Sequence, residues 1–282
     1  MSERGIRNDA ALVIFWDYDT QWGADRSRSS GGAKDWGLRE FTATERLLEL
    51  HARHAVAACF AIVGAAALPG ERPYHDPGQI RAMHAAGHEV ASHSFRHEWL
   101  PGIGWQGLLA TLRDSKCALE QCIGAPVTTF VPPYNQPFDY AARLAPSLSE
   151  RRTVPSDRIS LRRMCEALGE TGFRTARVSY RTLVQRVLDR AARRRIDGPV
   201  AIERIAGIAC VRLNTAGGFA ADAIAMVERT VSQGGIAVVY GHPHSLDAGN
   251  SQDARWLVPF LERVAEHSRA GRLRVVLPRE LT

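Results

Sequence analysis

The sequence contains few cysteines, and no two of them have the spacing of a redox or zinc motif. Five occur in 282 residues, an odd number, and none forms a Cys-x-x-Cys pair. This distribution argues against a disulfide framework and is typical of reduced, mostly buried thiols.

Long apolar segments are missing as well. No apolar run approaches the roughly 18 residues that a membrane-spanning helix needs, so we expect no membrane span. The first residues, MSERGIRNDA, lack the apolar stretch of a secretory signal peptide, and we therefore expect a cytoplasmic protein. Without a repeat or a low-complexity linker, we expect a single domain over residues 1–282. The pattern is least regular around residues 145–215, where an insertion or lid could lie.

Acidic residues are outnumbered by basic ones. Lysine and arginine total 36 against 30 for aspartate and glutamate, which gives a net charge of +6. The excess is mostly arginine spread along the chain, as a GC-rich genome would produce. We therefore do not expect nucleic acid as a partner, although the charge is compatible with an acidic or phosphate-bearing substrate.

Short apolar runs alternate with segments of helical periodicity. ALVIFWDYDT is typical of a buried strand that ends in carboxylates, and TATERLLELHARH has apolar residues at helical spacing. The same alternation continues to the end of the chain, in about seven units. It predicts an α/β fold with a parallel sheet and helical crossovers, closed or nearly closed into a barrel.

Polar side chains follow four of the predicted strands where each strand ends. They are Asp17 and Asp19, His93 and His97, Pro132–Asn135, and His242 and His244. The carboxyl ends of the strands of a parallel barrel share one face, so these residues can converge there. A His-x-x-x-His pair alone is a weak signal, but one aspartate and two histidines form a familiar divalent-metal site with open positions.

Four segments resemble, in the right order, the motifs of the NodB-type polysaccharide deacetylases of carbohydrate esterase family four. They are FWDYDTQ, HDPGQIRAMHAAGHEVASHSFRHEWL, FVPPYN and VVYGHPHSLD. The first has Asp-x-Asp where many members have adjacent aspartates, so the sequence looks like a divergent member. The resemblance implies a distorted (β/α)7 barrel, the NodB-homology fold.

By this resemblance Asp19, His93 and His97 are metal ligands. The metal is usually zinc, with cobalt or nickel as alternatives. A divalent ion lowers the pKa of its water from ~15.7 towards ~7 and polarises the acyl oxygen. Asp17 is implied as the general base that takes a proton from this water. It can reach the same site as Asp19 because residues i and i+2 of a strand share a face.

The resemblance also implies that His242 is the general acid and that the backbone N–H of Tyr134 binds the oxyanion. His244 is an alternative acid. Whichever histidine donates the proton, we expect a nearby carboxylate to support its imidazolium form.

The sequence departs from the family pattern at the third motif, where Val131 replaces the usual arginine and Asn135 the usual glycine. In the family this arginine orients the base, and the sequence does not indicate what replaces it. The segment ERIAGIACVRLNTAGGF lies where the fourth motif should be but lacks its acidic–aromatic pattern.

The predicted function is that of a metal-dependent hydrolase that removes an N-acyl group, acetyl above all, from an amino sugar or glycan precursor. A deformylase or cyclic-amide hydrolase would use the same residues. A non-catalytic carbohydrate-binding barrel is the alternative from another class.

Overall fold

A computed structural model describes residues 10–27, 35–138, 159–180 and 198–282. The strands are β1 Ala10–Tyr18, β2 Cys59–Ile62, β3 Glu89–Ser92, β4 Thr129–Phe130, β5 Thr175–Val178, β6 Glu203–Ile205, β7 Ile208–Arg212, β8 Gly235–Gly241 and β9 Arg274–Val275. The helices are α1 Thr20–Arg26, α2 Trp36–His54, α3 Pro77–Ala85, α4 Gly104–Ile123, α5 Leu161–Glu170, α6 Ala221–Gln233 and α7 Ala254–Arg269.

The strands form one curved, mostly parallel sheet. Their order is β6-β7-β5-β4-β3-β2-β1-β8, with β9 pairing with β1, and among the strands of the described residues only the β6–β7 pair is antiparallel. This arrangement confirms the predicted α/β fold of the (β/α)7 barrel type. The longest strand is β1, which pairs with β2, β8 and β9, and its side chains are buried on both faces, as expected for a strand in a parallel sheet covered by helices.

The two faces of the sheet bury separate apolar clusters. Trp16 and its neighbours on alternate positions of β1 pack against the helices, whereas Val13 and Phe15 face the interior of the barrel with Val131 and Val211. Because successive side chains of a strand point to opposite faces, Asp17 continues the interior row. Apolar side chains therefore fill most of the barrel interior, and the carboxylate of Asp17 lies in it at the carboxyl ends of the strands.

The side chain of Asn214 helps to close the barrel between β7 and β8. Its amide donates to the carbonyl of Ile236 at 3.0 Å, and its oxygen accepts from the N–H of Val238 at 2.9 Å. Val200 forms an antiparallel bridge to Ile236 on the same edge. Among the described residues, a side-chain amide and a single bridge thus link this edge of the sheet to β8.

The helix boundaries follow local capping signals. Pro77 opens α3, and the Asp76 carboxylate accepts from the N–H of Gln79 at 2.8 Å. Gly124 ends α4 in the left-handed conformation that glycine adopts at low cost. Within the described ranges, no helix combines the length and the apolar character that crossing a membrane requires.

Several boundaries differ from the sequence prediction. Helix α2 begins at Trp36 rather than Thr42. The segment ERIAGIACVRLNTAGGF, which lacks the pattern of the fourth motif, contains the β6–β7 hairpin. The sequence RTLVQRVLDRAARRR also predicts a helix, but its residues, 181–195, lie outside the described residues. The insertion or lid suggested around residues 145–215 also lies partly outside them; in its described part, β5, β6 and β7 belong to the sheet.

Candidate metal and catalytic site

Asp17 and Asp19 lie at the carboxyl end of β1. Asp17 is the second-last residue of β1, and Asp19 follows the strand as the residue that precedes α1. Thr20 then takes a left-handed backbone conformation with φ of 53°, which is uncommon for a β-branched residue. Gly23 packs so closely that an added Cβ would lie 2.5 Å from the Cβ of Asp19. The Asp19 side chain is therefore confined from two sides.

His93 and His97 follow β3 and come together through a turn. Ser94 and His97 both have positive φ, 62° and 58°, and this reversal brings the two imidazole rings to a centroid distance of 5.1 Å. Nε2 of His93 lies 3.4 Å and Nε2 of His97 lies 3.6 Å from Oδ1 of Asp19. The structure thus brings together the three residues predicted as ligands, with their donor atoms within 4.8 Å of one another.

The surroundings of these three residues suit a cation. All three are buried, and Oδ1 of Asp19 accepts no hydrogen bond although it lies inside the protein. Nδ1 of His93 bonds to the carbonyl of Val131 at 2.7 Å, so it carries the proton and leaves the lone pair of Nε2 directed at Asp19. One carboxylate and two imidazoles around an unsatisfied oxygen fit a divalent metal ion.

The electrostatics of Asp19 and His97 agree with this fit, whereas for His93 burial is outweighed by the contact with Asp19 and the charge of Asp17, which raise its pKa. Burial opposes ionisation of Asp19, but the neighbouring His97 and His93 outweigh it and hold the pKa of Asp19 below its usual value. Burial lowers the pKa of His97 to about 4. At neutral pH the carboxylate is therefore ionised and His97 is neutral, which are the protonation states that metal ligands need.

Asp17 is held by an arginine that the sequence analysis did not identify. Nη1 and Nη2 of Arg177, on β5, donate to Oδ1 and Oδ2 of Asp17 at 2.7 and 2.6 Å. Nη2 also donates to the side-chain oxygen of Asn135 at 3.1 Å. Both members of the pair are buried. Burial opposes ionisation of Asp17, but the guanidinium of Arg177 outweighs it and lowers the pKa of Asp17, so this carboxylate is ionised at neutral pH.

Arg177 lies beside the position where the arginine was expected. Strands β4 and β5 pair in parallel with Phe130 opposite Ala176, so the following residues, Val131 and Arg177, are neighbours on the interior face. The arginine stands one strand away from its expected place. The only sequence signal was the alternation of polar residues in RTARVSY, which placed Arg177 on the same face as Thr175.

His242 and His244 occupy different surroundings. Nε2 of His242 lies 3.9 Å from Oδ2 of Asp17, and its Nδ1 lies 3.1 Å from the side-chain oxygen of Gln252. His244 lies farther along the loop after β8, where its ring stacks on Trp36 at 4.4 Å and its Nδ1 is 3.6 Å from Glu40. Each histidine thus has a carboxylate nearby, but only His242 adjoins Asp17.

Tyr134 lies in a short turn with a positive φ of 57°. Its ring packs on His97 at a centroid distance of 4.6 Å and on Trp99 at 5.4 Å.

The site residues predicted from the sequence line one cavity of about 350 Å³, together with Trp36 and Gln252. The predicted residues at the cavity are Asp17, Asp19, His93, His97, Tyr134 and His242.

Comparisons with known proteins agree with this geometry. Residues 35–149 match the family model described as polysaccharide deacetylase. The chain resembles the structure of a protein of Mycobacterium smegmatis assigned as a polysaccharide deacetylase, with 18% identity, a TM-score of 0.61, and coverage of 98% of this chain and 96% of that one. It also resembles a probable polysaccharide deacetylase of Pseudomonas aeruginosa PAO1, with 15% identity, a TM-score of 0.60, and coverage of 97% and 90%.

At such identities the two structures establish the shared fold. Among curated proteins, none matches the sequence at a significant level. The matched segment contains His93, His97 and Tyr134, and the fold extends to the strands that carry Asp17 and His242. The family match and the fold together confirm the resemblance of the chain to the NodB-type polysaccharide deacetylases.

Proposed function

We propose that the protein is a metal-dependent hydrolase that removes an N-acyl group, acetyl above all, from an amino sugar or a glycan precursor. The observation that carries this proposal is the position of Asp17. An ionised carboxylate, held by a buried guanidinium, adjoins a group of one aspartate and two histidines in the same cavity. A base beside a metal site is the arrangement that hydrolysis of an amide requires.

Asp19, His93 and His97 would hold the metal, for which zinc is the first candidate and cobalt or nickel are alternatives. Carboxylate and imidazole ligands suit all three ions. When bound, the ion supplies Lewis acidity, which lowers the pKa of a coordinated water and polarises the acyl carbonyl. The hydrogen bond from Nδ1 of His93 to the carbonyl of Val131 supports this role because it fixes the ring orientation.

Asp17 would accept the proton of the attacking water. Arg177 holds both of its oxygens, which orients the carboxylate and keeps it ionised. The same ion pair makes Asp17 a weaker base than a free carboxylate, so its contribution depends on its position beside the metal ligands rather than on its basicity.

His242 would protonate the leaving nitrogen. The side-chain oxygen of Gln252 accepts two hydrogen bonds from His242, one from its backbone N–H and one from its Nδ1. The proton that the ring gives up is therefore the one on Nε2, the atom that lies nearest to Asp17. His244 points towards Glu40 instead, and we assign it no proton transfer. The backbone N–H of Tyr134 is the proposed donor to the oxyanion.

The size of the cavity supports a small substrate. A volume of about 350 Å³ among the described residues is at the lower end of the range for small-molecule sites. Trp36 lines the cavity and is an aromatic side chain of the kind that sugar rings contact. The cavity has room for one acylated sugar unit, and we propose a monomeric or short precursor inside the cell as the substrate.

The test is a panel of N-acetylated amino sugars, their nucleotide-linked forms, N-formyl compounds and cyclic amides, incubated with zinc-loaded protein while released acetate, formate or ring-opened product is measured. We expect acetate from at least one amino sugar, and none with His93→Ala. Formate or ring opening alone would move the assignment to the corresponding hydrolase. Binding of the sugars without release of any product would show a carbohydrate-binding barrel.

A further inference from the structure

Glu40 is a fully buried acid that the proposed reaction does not use. It lies on α2, within the first two turns, and its side chain is directed at the end of β1. Among the residues that the structure describes, no lysine or arginine forms an ion pair with it. Burying a carboxylate without a cation is costly, so its contacts should explain why the position is acidic.

The two oxygens of Glu40 bind consecutive backbone N–H groups. Oε1 accepts from the N–H of Asp19 at 3.1 Å, and Oε2 accepts from the N–H of Thr20. These N–H groups begin α1, where no residue of the helix itself can accept them. Burial and the nearby Asp19 raise the pKa of Glu40, but both of its oxygens can accept a hydrogen bond whether or not the group is ionised. The carboxylate therefore anchors the backbone of Asp19 from the side opposite its own side chain.

This anchor acts next to a residue with an uncommon backbone conformation. Thr20 has the left-handed φ of 53°, and Gly23 leaves no space behind the Asp19 side chain. If the N–H groups were released, Thr20 could return to an ordinary conformation and Asp19 would swing away from the histidines. The 3.4 and 3.6 Å distances from Oδ1 of Asp19 to the two imidazoles thus depend on Glu40.

Glu40 also contacts the other side of the cavity. Its Oε1 lies 3.6 Å from Nδ1 of His244, in the turn that follows β8. One carboxylate on α2 therefore joins the ends of β1 and β8, the two strands that carry the aspartates and His242.

We infer that Glu40 is a positioning residue for the metal: by holding the backbone of Asp19 and Thr20, it sets the carboxylate of Asp19 at the distance where it and the two histidines form one binding site. The inference rests on the proposed function, since it takes Asp19 as a metal ligand. Residues that support ligands in this way typically contribute about 10–100-fold to metal affinity.

The test compares zinc dissociation constants of the full-length protein, measured by competition with a chromophoric chelator. Glu40→Gln keeps the shape of the side chain but has one acceptor oxygen and an amide NH2, so one backbone N–H loses its partner. We expect its dissociation constant to rise about 10–100-fold, with a changed visible spectrum of the Co²⁺ form. Glu49→Gln, an exposed site on the same helix, is the matched control and should leave the constant unchanged.

A purely structural role would give a different result. Glu40→Gln would then lower the melting temperature of the metal-free protein while its zinc affinity and Co²⁺ spectrum matched the wild type, and this outcome would overturn the inference. If Glu40→Gln does not fold, Glu40→Asp is measured in the same way; it keeps the charge but is one methylene shorter, and wild-type affinity in it would also overturn the inference. Failure of the wild type to bind any divalent ion would instead contradict the proposed function.

Discussion

Arg177 and Asp17 form a bidentate ion pair inside the barrel, with N–O distances of 2.7 and 2.6 Å, although 160 positions separate them in the chain. The pair fills the space at the carboxyl end of β1 and β5, and the guanidinium lies over the ring of Tyr240 at 4.8 Å. Arg177, on β5, thus orients the carboxylate of Asp17, the role that an arginine at position 131, after β4, would have. The ion pair is the feature that separates this site from a plain metal-binding group of residues.

Replacing Arg177 by methionine should reduce both turnover and stability. The variant leaves the charge of Asp17 buried without a partner, which typically costs about 3–5 kcal/mol in the free energy of unfolding. A misoriented base should lower kcat by about 100-fold or more, within the range that general bases contribute. Urea unfolding and steady-state kinetics measure the two effects. Arg174→Met, at an exposed position before β5, is the matched control.

Moving the arginine back to the neighbouring strand tests whether the ion pair itself matters. In Val131→Arg with Arg177→Val, a guanidinium starts from the adjacent interior position. We expect this double variant to recover at least part of the kcat lost in Arg177→Val. If both variants fold and have equal kcat, an arginine at position 131 cannot replace Arg177 as the partner of Asp17. Unchanged kcat in Arg177→Met would mean that Asp17 does not need the pair.

The two histidines after β8 should respond differently to substitution. His242→Asn removes the proposed proton donor and should lower kcat by about 10²–10⁴-fold. His244→Asn removes a ring that stacks on Trp36 and should change KM more than kcat. Kinetics of both variants on one substrate measure the difference. A large loss of kcat in His244→Asn with little loss in His242→Asn would reverse the assignment of the acid.

A buried histidine remote from the site should make stability depend on pH. Nε2 of His51 accepts from the indole of Trp16 at 2.9 Å, and its Nδ1 bonds to the carbonyl of Val56 at 2.7 Å. Burial lowers the pKa of His51 from 6.5 to about 3. Below pH 6.5 the unfolded chain therefore binds a proton that the folded chain does not. The contribution of His51 to stability is complete above pH 6.5 and is lost as the pH falls towards 3.

The measurement is the free energy of unfolding of the metal-free wild type and of His51→Gln, whose amide can both accept and donate. The difference between them should shrink by about 1.4 kcal/mol for each pH unit well below pH 6. A difference that stays constant from pH 7 to pH 4 would contradict the neutral state of His51 in the fold.

The parts of the site that the sequence could predict are those at the ends of buried strands. Buried parallel strands have continuous apolar runs, so the polar residues that follow them stand out, as Asp17, Asp19, His93 and His97 do. The supporting residues do not stand out. Arg177 is one of 36 basic residues and Gln252 lies in a loop, and only the folded chain brings either of them to its partner.

The β6–β7 hairpin was missed for a local reason. Ala206 and Gly207 both have positive φ, 48° and 86°, and form the two-residue connection between Ile205 and Ile208. Such a turn joins antiparallel strands closely, and a glycine between β-branched residues is its sequence signal. The expectation of alternating strands and helices hid this signal, because the hairpin has no helical crossover.

The central claim is that turnover requires one divalent ion held by Asp19, His93 and His97. The most direct test is to strip the protein of metal, add zinc back in steps, and measure acetate release from the best substrate at each step. We expect release to be absent at the start, to rise in proportion to added zinc, and to level off at about one ion per chain, while Asp17→Asn binds the same ion without turnover. Release that is equal with and without metal would contradict the account.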